Sequence, residues 1–215
     1  MVLKLYGNSG FAASQRVATV LLEKQVPFEF IEVDFANGEH KSPEYLKKQP
    51  FGQTPYLDDD GFIVYESRAM CRYIATKYAD QGTALIPTDL KENTLFEQAA
   101  SIETSNFDPL TLAAIVEGIY KPRFRGVPTD QAKLQEHLEK LGQKLDVYDV
   151  ILSRQKYLAG DNITLADLFH LPQGDILPVV GENVLETRPN VARWWKDISS
   201  RPSWVSVKEG IKSTA

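Results

Sequence analysis

Residues 50–69 read Pro-Phe-Gly-Gln-Thr-Pro-Tyr-Leu-Asp-Asp-Asp-Gly-Phe-Ile-Val-Tyr-Glu-Ser-Arg-Ala, and the fold turns on them. Two short apolar runs, Tyr56-Leu57 and Phe62-Ile63-Val64-Tyr65, flank an acidic stretch that ends in Gly61. Such runs on either side of a Gly-ended polar turn predict a β-hairpin. Pro55 stands at the entrance of the first strand, where its missing N–H costs no ladder bond, and X-Pro is where cis bonds occur. After the hairpin, Glu66-Ser67 precedes an apolar-periodic stretch through Ala69, Met70, Tyr73 and Ile74. A helix is expected there, with Ser67 as its cap. A strand entrance therefore meets a helix start. The first offers an extended peptide edge. The second offers free N–H groups and a positive dipole end, which favour a carboxylate. Together they suit a short peptide-like anion, although a hairpin-helix corner that binds nothing would read the same way.

Upstream, Val2–Tyr6 and Phe28–Val33 are short apolar runs. Between them lies a helical pattern (Val17, Val20, Leu21, Leu22) that ends near Gln25. Asp34–Ser42 reads as a loop and Pro43–Lys48 as a short helix. The order is β-α-β, loop, β-β-α. A helix between two strands predicts a right-handed parallel crossover, and the hairpin adds an antiparallel pair. Gly82 and Pro87 mark a linker at residues 81–90. That divides the chain into an α/β domain over 1–80 and an all-α domain over 91–215.

The second domain reads as helices. Asn93–Tyr120 is apolar-periodic, with Pro109 inside it predicting a kink or break, and Pro122 lies just past its end. Thr129–Arg154 carries Leu134, Leu138, Leu141, Leu145, Tyr148 and Leu152, one apolar stripe along a bundle helix. In Gly160–Asp167, Thr164 and Asp167 have the spacing of a capping box, with Asp in place of Glu or Gln. Asn190–Ser200 and Ser203–Gly210 complete the set.

The 215 residues allow one large domain or two modest ones, and 43% hydrophobic with 25% charged residues is ordinary for a soluble protein. A net charge of −5 without a Lys/Arg cluster argues against a nucleic-acid partner. The start, Met-Val-Leu-Lys-Leu-Tyr-Gly, lacks the apolar core of a signal peptide, and no run is long enough to span a membrane, so a cytoplasmic location is expected. One cysteine, Cys71, rules out an internal disulfide. His40, His137 and His170 show no metal-ligand spacing, and there is no phosphate-binding glycine loop, so neither metal nor prosthetic group is expected.

Phe51-Gly52-Gln53-Thr54-Pro55, followed by Glu66-Ser67-Arg68-Ala69, resembles the glutathione-binding signature of glutathione transferases, in particular the phi class of plants and fungi. Gly38-Glu39-His40-Lys41-Ser42-Pro43 resembles the same class. The resemblance implies a thioredoxin-like first domain, a helical-bundle second domain and a homodimer. It also assigns partners to glutathione, the co-substrate. The γ-glutamyl carboxylate would sit at the Ser67 hydroxyl and the N–H groups opening that helix, with Glu66 receiving the amine. The cysteinyl backbone would pair with the Thr54 main chain, held open by a cis Pro55. The family usually has valine where Thr54 stands, a change that a main-chain contact tolerates. Gln53 would bond the peptide, and His40 and Lys41 would meet the glycyl carboxylate.

The chemistry needs the thiolate, and an unperturbed cysteine thiol, with pKa about 8.5, is mostly protonated at neutral pH. A hydroxyl donor and the positive end of the first helix lower that value. In the phi class the donor is a serine in the loop opening that helix, but gapless alignment places Phe11 there, followed by Ala12 and Ala13. Ser14, one turn deeper, and Ser9, in the preceding turn, are the replacement candidates, with Tyr6 behind them. No cysteine stands in this loop, which disfavours mixed-disulfide chemistry, and Cys71 reads as a core residue. Phe11, Phe35, Ile115, Ile119 and Tyr120 are the candidate walls for an apolar second substrate, with Phe107 and Phe124 beside them. The implied activity is conjugation of glutathione to small hydrophobic electrophiles by thiolate attack. The alternative is a glutathione- and hydrophobic-ligand-binding protein without efficient catalysis, suggested by Phe11.

Overall fold

The computed structural model describes residues 2–181 and 183–215. Apolar alternation sets the central layer. In β1 (Leu3–Gly7) the side chains of Leu3 and Leu5 are buried and Lys4 is exposed. β1 pairs in parallel with β2 (Phe28–Glu32), and α1 (Ala12–Glu23) is the crossover between them. β3 (Tyr56–Asp59) and β4 (Phe62–Tyr65) form the hairpin, and β3 runs antiparallel to β1 with Tyr6 opposite Tyr56. The sheet order is β2-β1-β3-β4. Asp60 and Gly61 turn the hairpin with φ of 55° and 89°, the primed-turn geometry whose twist matches the strands.

On one face, α1 buries Val17, Val20 and Leu21 and packs against α3 (Ser67–Lys77), which buries Met70, Cys71 and Ile74. On the other, Val33, Tyr45 and Tyr56 form a small core with Tyr6, Ile63 and Tyr65 against it. Tyr45 is supplied by α2 (Pro43–Leu46), which follows a single 3₁₀ turn over Glu39–Lys41. Ser42 caps α2 by accepting the Tyr45 N–H.

The chain forms two compact units, Met1–Ile86 with Arg201–Ala215, and Pro87–Ser200. The last stretch thus belongs with the sheet. Its helix α12 (Pro202–Lys208) packs on α1. Glu23 explains the docking. Its carboxylate accepts from Arg201 through Nε at 2.6 Å and Nη2 at 2.7 Å, from Ser203 at 2.5 Å and from Thr83 at 2.6 Å. Beyond α12, the Phe28 N–H donates to the Thr214 hydroxyl and the Phe30 N–H to the Ser213 hydroxyl, covering the edge of β2.

The second unit is helical. α4 (Leu90–Ile102) runs through a π-helical turn, Glu103–Phe107, into α5 (Asp108–Ile115). A second π turn, Val116–Tyr120, leads into α6 (Lys121–Phe124). Pro109 sits in the first turn of α5, where its missing N–H is tolerated, and the break predicted there takes the form of the π turn before it. Pro122 lies in the first turn of α6, not past the helical stretch, for the same reason. α7 (Gln131–Leu152) buries Leu134, Leu138, Leu141, Leu145, Tyr148 and Leu152, the whole expected stripe. Short helices α8 (Leu165–Leu168), α9 (Leu171–Gly174) and α10 (Leu177–Val180) precede α11 (Pro189–Ser199). Asp167 accepts the Thr164 N–H at 2.9 Å and hydroxyl at 3.1 Å. It also takes the Leu158 N–H at 3.0 Å and the Trp194 indole at 2.9 Å, so the expected box is a four-donor anchor in the core. No helix among the described residues is long and apolar enough to cross a membrane.

Candidate active site

The site is built in the first unit from the ends of α1, β3 and α3. The N-cap of α3 is Glu66, at φ 69°, and Ser67 is its first helical residue, which corrects the expectation that Ser67 is the cap. The reason is geometric: Glu66 leaves the helical region, and its carbonyl accepts the Met70 N–H. With ψ of 104°, Glu66 lies outside the left-handed helical well too, an uncommon conformation for a non-glycine residue. Among the described residues no side chain caps α3 and none caps α1, whose N-cap position is Phe11. α2, α4 and α7 are capped by Ser42, Asp89 and Asp130, whereas α12, away from this corner, also starts without a side-chain cap. The two helices that open at this site therefore keep their N–H groups available to an incoming anion.

Ser67 is buried, and its Oγ accepts from Arg16 Nη1 at 2.9 Å. Arg16 is 3% exposed on α1. With a lone pair engaged by the guanidinium, the hydroxyl proton of Ser67 points elsewhere, and a buried cation stands behind it. Arg16 is the residue that sequence reasoning missed. Its only signal was a charge next to Val17 on a helix that packs on both sides. Glu66 is exposed beside it.

Residues 38–55 form the other wall. Lys41 Nζ donates to the Gly52 carbonyl at 2.7 Å and the Phe51 carbonyl at 3.3 Å, tying the two loops together. Gly52 has φ 59°, and a Cβ there would meet the His40 carbonyl at 2.8 Å, so the close approach requires glycine. His40 is buried flat against Phe35, centroids 3.7 Å apart, and Phe35 meets Phe11 edge-on at 4.8 Å. Burial, and then the charge of Lys41, hold the His40 ring below its ordinary pKa, so it is neutral at pH 7. Its Nδ1 is buried and has no hydrogen-bond partner among the described residues. Tyr45 donates its hydroxyl to the Gln53 carbonyl at 2.8 Å and leaves the Gln53 side chain exposed. The Thr54–Pro55 bond is cis, and Pro55 is buried.

Of the thiolate-donor candidates, Ser14 lies deepest. It is fully buried, its Oγ accepts the Asn8 N–H at 3.1 Å, and it lies 2.5 Å from where a Cβ on Gly7 would stand. It locks the β1–α1 turn against glycine backbone and has no surface for a ligand. Ser9 is half-buried, with its N–H on the Glu32 carboxylate at 3.2 Å. Tyr6 stacks on Tyr56 at 4.5 Å, within the small tyrosine core. Among the wall candidates, Phe11 and Phe35 meet as described. In the second unit, Ile115 and Phe107 are buried, Ile119 is half-buried, and exposed Tyr120 meets Phe124 edge-on. Cys71 is fully buried, and burial pushes its thiol up to about 12, so it is inert. Among the described residues no group of three or more His, Cys, Asp or Glu is placed to hold a metal ion.

Comparison with known proteins agrees with this architecture. The family model described as glutathione S-transferase, N-terminal domain, matches residues 1–76, and the corresponding C-terminal domain model matches residues 107–202. Glutathione S-transferase F12 of Arabidopsis thaliana is 42% identical over 95% of this chain and 96% of its own. Glutathione S-transferase hmp2 of Hypomyces subiculosus is 44% identical over 95% and 97%. The crystal structure of glutathione transferase F2 from Populus trichocarpa superposes with a TM-score of 0.91 at 43% identity, covering 96% of this chain and 97% of that one. Glutathione S-transferase I from maize, solved with an atrazine glutathione conjugate, gives 0.89 at 34% identity, with 97% of each chain covered. With both domain models matched and full-length relatives of the plant F type, the chain belongs to the glutathione S-transferase family, in its phi class.

Proposed function

We propose that this protein conjugates reduced glutathione to small apolar electrophiles by attack of the glutathione thiolate. The observation that carries the reading is the pair of helix starts, α1 and α3, left without side-chain caps and joined by the Arg16–Ser67 hydrogen bond. The α3 start, with the Ser67 hydroxyl, receives the γ-glutamyl carboxylate, and exposed Glu66 takes the amine. Thr54 offers its main chain to the cysteinyl peptide and Gln53 its side chain. Neutral His40 donates a hydrogen bond to the glycyl carboxylate while Lys41 supplies the positive charge. The sulfur then faces the opening turn of α1, where N–H groups and the helix dipole favour the anion. Phe11 and Phe35 present ring surface to the electrophile. Full burial of Cys71 and its raised thiol leave no protein thiolate to form mixed disulfides.

The related maize enzyme was solved with a glutathione conjugate, which supports the same reaction class here. The family resemblance supports a homodimer, and a cytoplasmic protein fits a chain with no membrane-crossing helix among its described residues. The test is a steady-state assay with reduced glutathione and 1-chloro-2,4-dinitrobenzene. The reading expects saturable conjugation above the uncatalysed rate, lost with S-methylglutathione in place of the thiol. Glutathione binding without any rate above background would refute it.

A further inference from the structure

We propose that the hydroxyl of Thr54 is a catalytic group of this site, donating the hydrogen bond that holds the glutathione sulfur as a thiolate. The proposal rests on the transferase reading above and supplies the donor that reading lacks.

The first observation is chemical. Thr54 Oγ1 is buried and has no hydrogen-bond partner among the described residues, although Thr54 as a whole is half-exposed. Buried polar groups are nearly always paired, and an exception points to an absent partner. The second observation is placement. The β1–β3 register sets Tyr6 opposite Tyr56 and Leu5 opposite Leu57. Next out from the Tyr6–Tyr56 pair come Gly7 and Pro55, where the chain leaves β1 toward α1, and Thr54 precedes Pro55 through a cis bond. Pro55 confirms the proximity, since its Cβ is 3.2 Å from where a Cβ on Gly7 would stand. Thr54 therefore borders the turn whose helix start lacks a cap.

Ser14 is buried and accepts the Asn8 N–H. Phe11, Ala12 and Ala13 have no hydroxyl to offer. Ser9, on a turn tied by its N–H to Glu32, and Tyr6, stacked on Tyr56, are the rivals.

Threonine suits the task because its hydroxyl and methyl are nearly the same size. A rotation about Cα–Cβ to another staggered rotamer brings the methyl to the hydroxyl's place and the hydroxyl to the place of Hβ. The methyl then fills the buried side, where the hydroxyl had no partner, and the hydroxyl turns to the half-exposed side. There it meets a ligand whose cysteinyl main chain lies along the Thr54 backbone. On ionisation the sulfur proton passes to water. Thr54 keeps its own proton and shares it with the anion. The sulfur lone pair then forms the C–S bond as the electrophile's leaving group departs with its electron pair.

The experiment uses the full chain in four forms: wild type, Thr54→Val, Thr54→Ser and Ser9→Ala. Each is measured for the thiol pKa of bound glutathione by thiolate absorbance, for kcat and KM, and for the thermal midpoint. Thr54→Val is expected to move the bound thiol toward its free pKa and to lower kcat at neutral pH about 10- to 100-fold. KM should rise by a smaller factor than kcat falls at neutral pH, and should approach the wild-type value at a pH low enough that bound glutathione is a thiol in both proteins. The thermal midpoint should hold or rise, since an unpaired buried hydroxyl has been removed, and a merely structural Thr54 would not separate activity from stability in this way. Thr54→Ser should retain most of the activity. If valine does not fold there, Thr54→Ala reads the same quantities. A Thr54→Val protein that titrates and turns over like wild type overturns the proposal, as does a Ser9→Ala protein that alone loses the shift; both leave the transferase reading intact. An unshifted thiol in wild type overturns both.

Discussion

Arg16 and Ser67 illustrate how a single residue acquires its role from what packs behind it. Ser67 was legible as the residue that opens a helix just after a hairpin. Its buried guanidinium partner was not, since the burial of a charge is decided by packing and not by local pattern. Loss of the Ser67 hydroxyl should remove one charge-assisted bond to the γ-glutamyl carboxylate, worth about 1.5–3 kcal/mol. Ser67→Ala is therefore expected to raise KM for glutathione on the order of 10- to 100-fold with a smaller change in kcat, read from initial rates at varied glutathione. Ser14 teaches the reverse lesson. Helical spacing put it on the face of Phe11, but one turn deeper is already inside the protein, where its hydroxyl holds the β1–α1 turn. At Cys71, burial and a thiol pushed to about 12 predict no alkylation by iodoacetamide in the native protein and full alkylation in denaturant, followed by mass spectrometry.

At the scale of elements, strands, hairpin and the α7 stripe were legible because each rests on a local periodicity that the tertiary structure keeps. The two π turns were not. Whether an N–H reaches the fourth or the fifth carbonyl back is set by what packs against the helix, and no residue spacing announces it. The capping box of α8 was legible as Thr164 and Asp167, but its two further donors, from Leu158 and Trp194, come from outside the helix. Those donors raise what the element is worth. Asp167→Ala leaves buried N–H groups of Leu158, Thr164 and Trp194 without their acceptor, and a loss of roughly 3–5 kcal/mol is expected. Urea unfolding followed by tryptophan fluorescence measures it. Asp167→Asn keeps one acceptor and should lose less.

For the whole molecule, the informative feature is the return of the chain end to the first unit. Sequence order assigned everything after the linker to the helical domain. Glu23 and Arg201 are too far apart in sequence for any local pattern to join them, so the return was invisible. Burial alone would push the Glu23 carboxyl up, but the hydrogen bonds from Arg201, Ser203 and Thr83 outweigh it and hold the group below its ordinary value. The sign follows. As pH falls through the ordinary glutamate range near 4.3, the unfolded chain takes up this proton before the folded one does. The stability that Glu23 contributes is thus complete at neutral pH and lost on acidification below that range. Glu23→Gln should cost roughly 2–4 kcal/mol at pH 7, with the difference from wild type shrinking toward pH 3 in a denaturant series.

We propose that this site activates glutathione although Phe11 stands where the family resemblance implies a serine. The most direct test is a pH titration of glutathione bound to the wild-type protein, following thiolate absorbance against free glutathione. The account predicts a thiol pKa clearly below that of the free tripeptide, so that bound thiolate predominates near neutral pH. A bound thiol that titrates like the free one would contradict it, and would leave a protein that holds glutathione without preparing it to react.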